Sequence, residues 1–228
     1  MESVTYTERI VNAAVRMVFR LLARMDVREL RRLPRRGPAI LMSNHTTNLE
    51  GPAYYVFIQP RKATALGKRE LWRRWPTRFI MELWGIIPVA RGRLDRSALR
   101  AAFDALDRRH FLGIAPEGTR SRTGALRQAH PGIALIASRR PVPVYPMVHW
   151  GMRDALSSLA RLRRSQVTFR VGRPFRVRVA KETERSAAVL REITDEMMYE
   201  MARTLPPRLR GVYADIPAQA PKYLEYEG

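Results

Sequence analysis

The 228-residue chain has no cysteine, so neither a disulfide framework nor a thiolate metal site is available to it. Its four histidines leave a metal-dependent reaction few ligands, and no metal is expected. Uninterrupted apolar runs of about 18 residues, the length a membrane-spanning helix requires, are missing throughout. A secretory signal is not expected either: Glu2 and Glu8 replace the usual basic start, and no small-residue cleavage pattern follows. Acidic residues are scarce, 21 against 42 basic, for a formal net charge of +21. Such an excess attracts nucleic acid, anionic lipid headgroups or acidic soluble substrates. The chain carries no recognised nucleic-acid reader motif, zinc ligand set or aromatic-basic platform, so no nucleic-acid partner is expected.

What is present suits one sizeable domain, since 46% of the residues are hydrophobic and the length allows a real core. No internal repeat, low-complexity tract or second-domain boundary interrupts it. From about residue 4 to 30, Ile10, Val11, Ala14, Val15, Met17, Val18, Leu21, Leu22 and Met25 recur at helical spacing, with Arg9, Arg16, Arg20 and Arg24 mostly on another face. This basic amphipathic helix either lies among anionic headgroups or packs on the domain's own core. A Pro- and Gly-containing, arginine-rich linker over 27–38 leads to a strand over 39–42. Strand candidates at 63–66, 85–90, 111–115 and 142–149 then alternate with helical patterns at 70–81, 94–109 and 132–138. One or two late strands over 167–179 and a helix over about 184–204 follow. Alternation of this kind predicts an α/β fold, a mixed, largely parallel sheet flanked by helices, with an N-terminal amphipathic helical segment. Sites in such sheets gather where the strands end in loops.

Four stretches carry chemistry. In 43–52, His45 and Glu50 follow an apolar run. A neutral imidazole can take a proton near pH 7 while a carboxylate orients its other nitrogen. Five positions along a continuous helix would hold the two apart, so the chain must turn between them, and Gly51-Pro52 can open a helix there. A hydrogen-bonded structural pair would look the same in sequence. In 114–122, Glu117, Gly118, Thr119 and Arg120 follow a strand, where a glycine backbone, a hydroxyl and a bidentate guanidinium can surround a phosphate. The strand over 85–91 delivers Arg91 at its end, for an anion or for an ordinary carboxylate partner. The apolar, three-proline stretch 141–148 either lines a groove or forms an edge strand, where proline is allowed.

These four blocks in this order resemble the glycerolipid acyltransferase family, specifically the bacterial 1-acyl-glycerol-3-phosphate acyltransferases. That family carries Asn-His-x-x-x-x-Asp, a Gly-to-Arg strand motif, Glu-Gly-Thr-Arg-Ser and a Val-Pro-rich strand. They are matched here by 44–50, 85–91, 117–121 and 142–146. Residues 68–71 and 205–213 resemble a Lys-x-Glu-Leu segment and a common tail of the same family. One residue departs: position 50 is Glu where Asp is usual, which keeps the carboxylate and bears on the substrate class more than on the chemistry, so that lysophosphatidic acid, another lysophospholipid and a glycosylated lipid are all candidate acceptors.

The resemblance implies an O-acyltransferase domain over 31–228 preceded by a membrane-associating helix over 1–30. His45 is the implied general base and Glu50 its orienting partner. Asn44, Arg91, Glu117, Gly118, Thr119 and Arg120 are the implied substrate-binding residues, with Glu117 expected to fix its loop rather than react. Direct transfer needs no cofactor, only acyl-CoA or acyl carrier protein as co-substrate. A lysophospholipid acceptor and an anionic membrane complete the expected partners, which puts the enzyme at the cytoplasmic face of the cell membrane, peripheral or monotopic. His110, His130 and His149 are expected to be structural, and Trp84 to be core.

Overall fold

The computed structural model describes residues 5–90, 95–155, 158, 161, 163–180 and 186–227. Among these, nine strands form one sheet. Helix α1 (Tyr6–Leu22) leads directly into β1 (Ala23–Asp26), and β2 (Ala39–Ser43), α2 (Glu50–Phe57), β3 (Ala63–Lys68), α3 (Trp75–Leu83) and β4 (Ile87–Val89) follow. Next come α4 (Arg96–Asp107), β5 (Phe111–Ile114), α5 (Gly132–Arg139), β6 (Val144–Trp150), β7 (Ser165–Val171), β8 (Phe175–Val177), a long α6 (Ala187–Thr204) and β9 (Leu224–Tyr226). The main strand order is β1-β7-β6-β2-β5-β3-β4. Strands β2, β3, β4, β5 and β6 run parallel in this order, and β7 and β8 join β6 antiparallel. The expected mixed, largely parallel α/β sheet is therefore the fold.

Strand pleating divides the core in two. Ile40 and Met42 of β2 point into one cluster with Leu106, Ile133, Ile136 and Met197, from α4, α5 and α6. Ala39 and Leu41 point the other way, toward Phe19, Tyr54, Val56 and Met81 of α1, α2 and α3. Both faces of the sheet are covered, as a parallel sheet requires.

Three expectations need correction. The N-terminal helix stops at Leu22 rather than near residue 30, because Ala23–Asp26 pairs in parallel with residues 165–168; the partner strand overrides a periodicity that reads on to Met25. The expected helix over 70–81 is a 3-10 turn (Arg69–Arg73) followed by α3, with Arg74 extended between them at φ −108°, ψ 131°. Pro76 explains the break, since its ring crowds the preceding turn and proline is tolerated only at a helix start. The Pro-rich stretch is not an edge strand: β6 lies between β2 and β7. The Pro146 carbonyl accepts from Gly172 N at 2.8 Å, so its missing N–H faces the same side. There the neighbouring strand is interrupted between β7 and β8, and no ladder bond is lost.

α1 is amphipathic in an unexpected sense. Its buried face carries Glu8 and Asn12. Glu8 accepts from the Tyr55 hydroxyl at 2.7 Å with Lys62 Nζ 3.6 Å away, and Asn12 Oδ1 accepts from the Trp84 indole at 2.9 Å. Tyr6, Ile10, Met17 and Leu21 are exposed instead. Trp84 is core, as expected.

Candidate active site

Because β2, β5 and β6 run parallel, their C-terminal ends emerge at one edge of the sheet, where loops can meet. The β2 end delivers residues 44–50, the β5 end residues 115–121 and the β6 end His149. The chain turns after His45, and α2 opens at Glu50, whose carboxylate sits at the positive end of that helix. His45 Nδ1 is hydrogen-bonded to Glu50 Oε1. Glu50 is buried and further fixed: Oε1 accepts from Thr46 N at 3.0 Å, and Oε2 from Thr47 N at 2.8 Å. Burial pushes its carboxyl upward, but the bonds from His45 and Thr47 outweigh that and hold it below the ordinary value. A carboxylate on Nδ1 fixes the tautomer with the proton there. It leaves Nε2 as a lone pair that no described residue occupies, on a side chain 30% exposed.

The second block clasps His45 by its backbone. Glu117 Oε1 accepts from His45 N at 2.9 Å and its Oε2 from Arg127 N at 3.0 Å, while Ser121 N donates to His45 O at 2.7 Å. Residues 118–120 thus span two anchor points on the backbone of His45. All three are exposed, and among the described residues Thr119 and Arg120 have no side-chain partner, so a guanidinium and a hydroxyl stand open on the loop that clasps His45. Gly118 has φ +61°, and a Cβ there would meet His130 Cδ2 at 2.8 Å. Gly118→Ala should lower stability by about 1–2 kcal/mol through backbone strain. Adding His130→Ala should recover only the steric part, readable as the melting temperatures of the two variants.

Several site expectations change. Asn44 is buried, and its amide is engaged by the His149 backbone, donating to His149 O at 2.9 Å and accepting from His149 N at 3.0 Å. It ties the β2 end to the β6 end, a positioning part rather than the substrate contact expected of it. Glu117 holds backbone with both oxygens, the loop-fixing part expected of it; burial raises its carboxyl to about 7 despite the two amide donors. Thr46 N and Thr47 N both bond Glu50, so these two amides of the turn are not free for an oxyanion. Arg91 lies outside the described residues.

His149 was expected to be merely structural, and the structure brings it to the site. Its ring is fully buried. Tyr54 donates its hydroxyl hydrogen to Met147 O at 2.9 Å, so His149 Nδ1, 3.3 Å from that hydroxyl, must be the donor to it. Nε2 then accepts from Thr46 Oγ1 at 3.0 Å and stands 3.9 Å from Glu50 Oε2. Burial lowers His149 to about 4, which keeps it neutral. It props the turn whose amides hold Glu50. A histidine 105 positions from Asn44 announces this only through its place at the end of the strand beside β2.

A family model described as Acyltransferase matches residues 24–150. The human 1-acyl-sn-glycerol-3-phosphate acyltransferase beta is 32% identical over 130 residues, 55% of this chain and 46% of that protein, so the match spans about half of the curated relative. The crystal structure of the 1-acyl-sn-glycerophosphate (LPA) acyltransferase PlsC from Thermotoga maritima superposes with a TM-score of 0.62 at 21% identity. It covers 83% of this chain and 75% of that one, a likeness of fold.

Proposed function

Since this chain belongs to the acyltransferase family, we propose that it moves an acyl chain from a thioester donor, acyl-CoA or acyl carrier protein, to the free hydroxyl of a lysophospholipid. The favoured acceptor is 1-acyl-sn-glycerol-3-phosphate, giving phosphatidic acid. The observation that carries this reading is the His45–Glu50 pair, with Nδ1 held by a buried carboxylate and Nε2 open. Nε2 takes the acceptor hydroxyl's proton as that oxygen attacks the thioester carbonyl carbon. The C–S bond then breaks, and the departing sulfur takes the proton back from the imidazolium, leaving a free thiol and an ester. Glu50 stabilises the transient imidazolium. Gly118, Thr119, Arg120 and Arg91 hold the acceptor's phosphate.

None of the described helices is long and apolar enough to cross a membrane. The exposed apolar stripe of α1, together with the net charge of +21, supports peripheral attachment at the cytoplasmic face of an anionic membrane.

The test is thiol release from acyl-CoA, then from acyl carrier protein, against lysolipids with and without a phosphate and against glycolipid acceptors. Release that depends on a phosphate-bearing acceptor is expected, and release from neither donor with any acceptor would remove the proposal. Arg120→Ala should raise KM for the phosphate acceptor about 10- to 100-fold, the cost of one charge-assisted contact, with kcat changed much less. An unchanged KM would remove the phosphate role of Arg120.

A further inference from the structure

At the end of α2 away from Glu50, five arginines line one cleft of about 430 Å³: Arg16 and Arg20 from α1, Arg31 and Arg35 from the segment before β2, and Arg61 after α2. Among the described residues none of the five has a carboxylate partner. Two are fixed by backbone. Arg61 donates to Pro34 O at 2.6 Å, Leu33 O at 2.7 Å and Ile58 O at 2.9 Å. Arg16 donates to Val56 O through Nη2 at 2.6 Å. Arg20, Arg31 and Arg35 are exposed, and their guanidinium groups make no hydrogen bond among the described residues.

The crowding is electrostatically unfavourable as it stands. Burial and then Arg20 push Arg16 below its ordinary value, and burial and then Arg35 do the same to Arg61. An anion in the cleft would relieve both.

The setting says which anion. Tyr6, Ile10, Met17 and Leu21 stand out from α1 at helical spacing. Arg16 and Arg20 occupy the flank between that stripe and the buried face, so charge and grease border each other on one helix. We propose that this cleft seats the headgroup of an anionic phospholipid held in a membrane. Its phosphate contacts Arg20, Arg31 and Arg35, and the stripe enters the acyl layer. The cleft is not the acceptor's phosphate site, because the eight residues of α2, about 12 Å of helix, separate it from Glu50.

This inference rests on the membrane attachment proposed above, and one experiment separates the two. The full chain is cosedimented with vesicles of phosphatidylcholine alone or mixed with phosphatidylglycerol. It is compared with Arg31→Ala/Arg35→Ala and with Arg100→Ala/Arg108→Ala, which removes the same charge from α4 and its C-terminal end; circular dichroism checks each fold. The cleft variant should lose about thirty-fold in affinity for the phosphatidylglycerol vesicles, at roughly 1 kcal/mol per arginine near the surface, and the α4 variant only a fewfold. Equal losses in the two variants, or none in the first, overturn the headgroup site while attachment stands. Wild-type protein that binds neither vesicle overturns both.

Discussion

His45→Ala is expected to lower kcat by on the order of 10³-fold or more, the upper range for removing a general base, with the fold intact. The imidazole is 30% exposed and makes one hydrogen bond, to Glu50, whereas the backbone bonds to Glu117 and Ser121 belong to the main chain and survive the substitution. Thiol release and circular dichroism therefore separate cleanly. Glu50→Ala is a poorer test, because it also strips Thr46 N and Thr47 N of their acceptor, a fault that costs about 1–3 kcal/mol per buried donor. Glu50→Gln keeps an acceptor and removes the charge that stabilises the imidazolium, so its loss falls on kcat more than on the melting temperature. Full turnover by His45→Ala would end the general-base assignment.

The second large effect is hidden in the wild-type protein. Burial raises Glu117 from 4.5 to about 7 and lowers His149 from 6.5 to about 4. Glu117 binds its proton more tightly when folded, so its contribution to stability is full below pH 4.5 and is lost as pH rises through about 7. His149 binds its proton more weakly when folded, so its contribution is full above pH 6.5 and is lost as pH falls through about 4. Between pH 4.5 and 6.5 the two slopes oppose each other, each near 1.4 kcal/mol per pH unit. Urea unfolding across that window should show little net slope from the pair. Glu117→Gln should expose stability that climbs with pH, and His149→Asn stability that falls with pH. Identical pH profiles for both variants would show that neither group titrates as its burial implies.

The sequence makes the site more legible than the fold's joints. His45 and Glu50 are close along the chain, and a Gly-Pro pair marks the turn that joins them. Glu117 could be placed near them only by resemblance, since the 72 positions between it and His45 hold no local signal. The opposite misreadings share a cause: local rules cannot see a strand's neighbours. Periodicity carries α1 past Leu22 because the pairing of Ala23 with Ser165 lies far away. Pro146 reads as an edge residue because the break in the adjoining strand that accommodates it comes later. Asn44 reads as substrate-binding by resemblance alone, because the His149 backbone it bonds lies far along the chain. His149 is silent for the same reason, its role depending on Thr46 and Tyr54 across the β2–β6 seam.

The clasp of Glu117 and Ser121 on the two sides of His45's backbone makes the 118–120 loop and His45 one mechanical part. On the proposed function, a change that reshapes 118–120 to admit a different lysolipid also shifts the imidazole, so acceptor preference and rate are not expected to drift apart there. Diversification that spares turnover must act on surfaces outside the clasp, such as the end of β4 or the path taken by the acyl chain. The loop proposed to meet the acceptor is thus the one least free to vary.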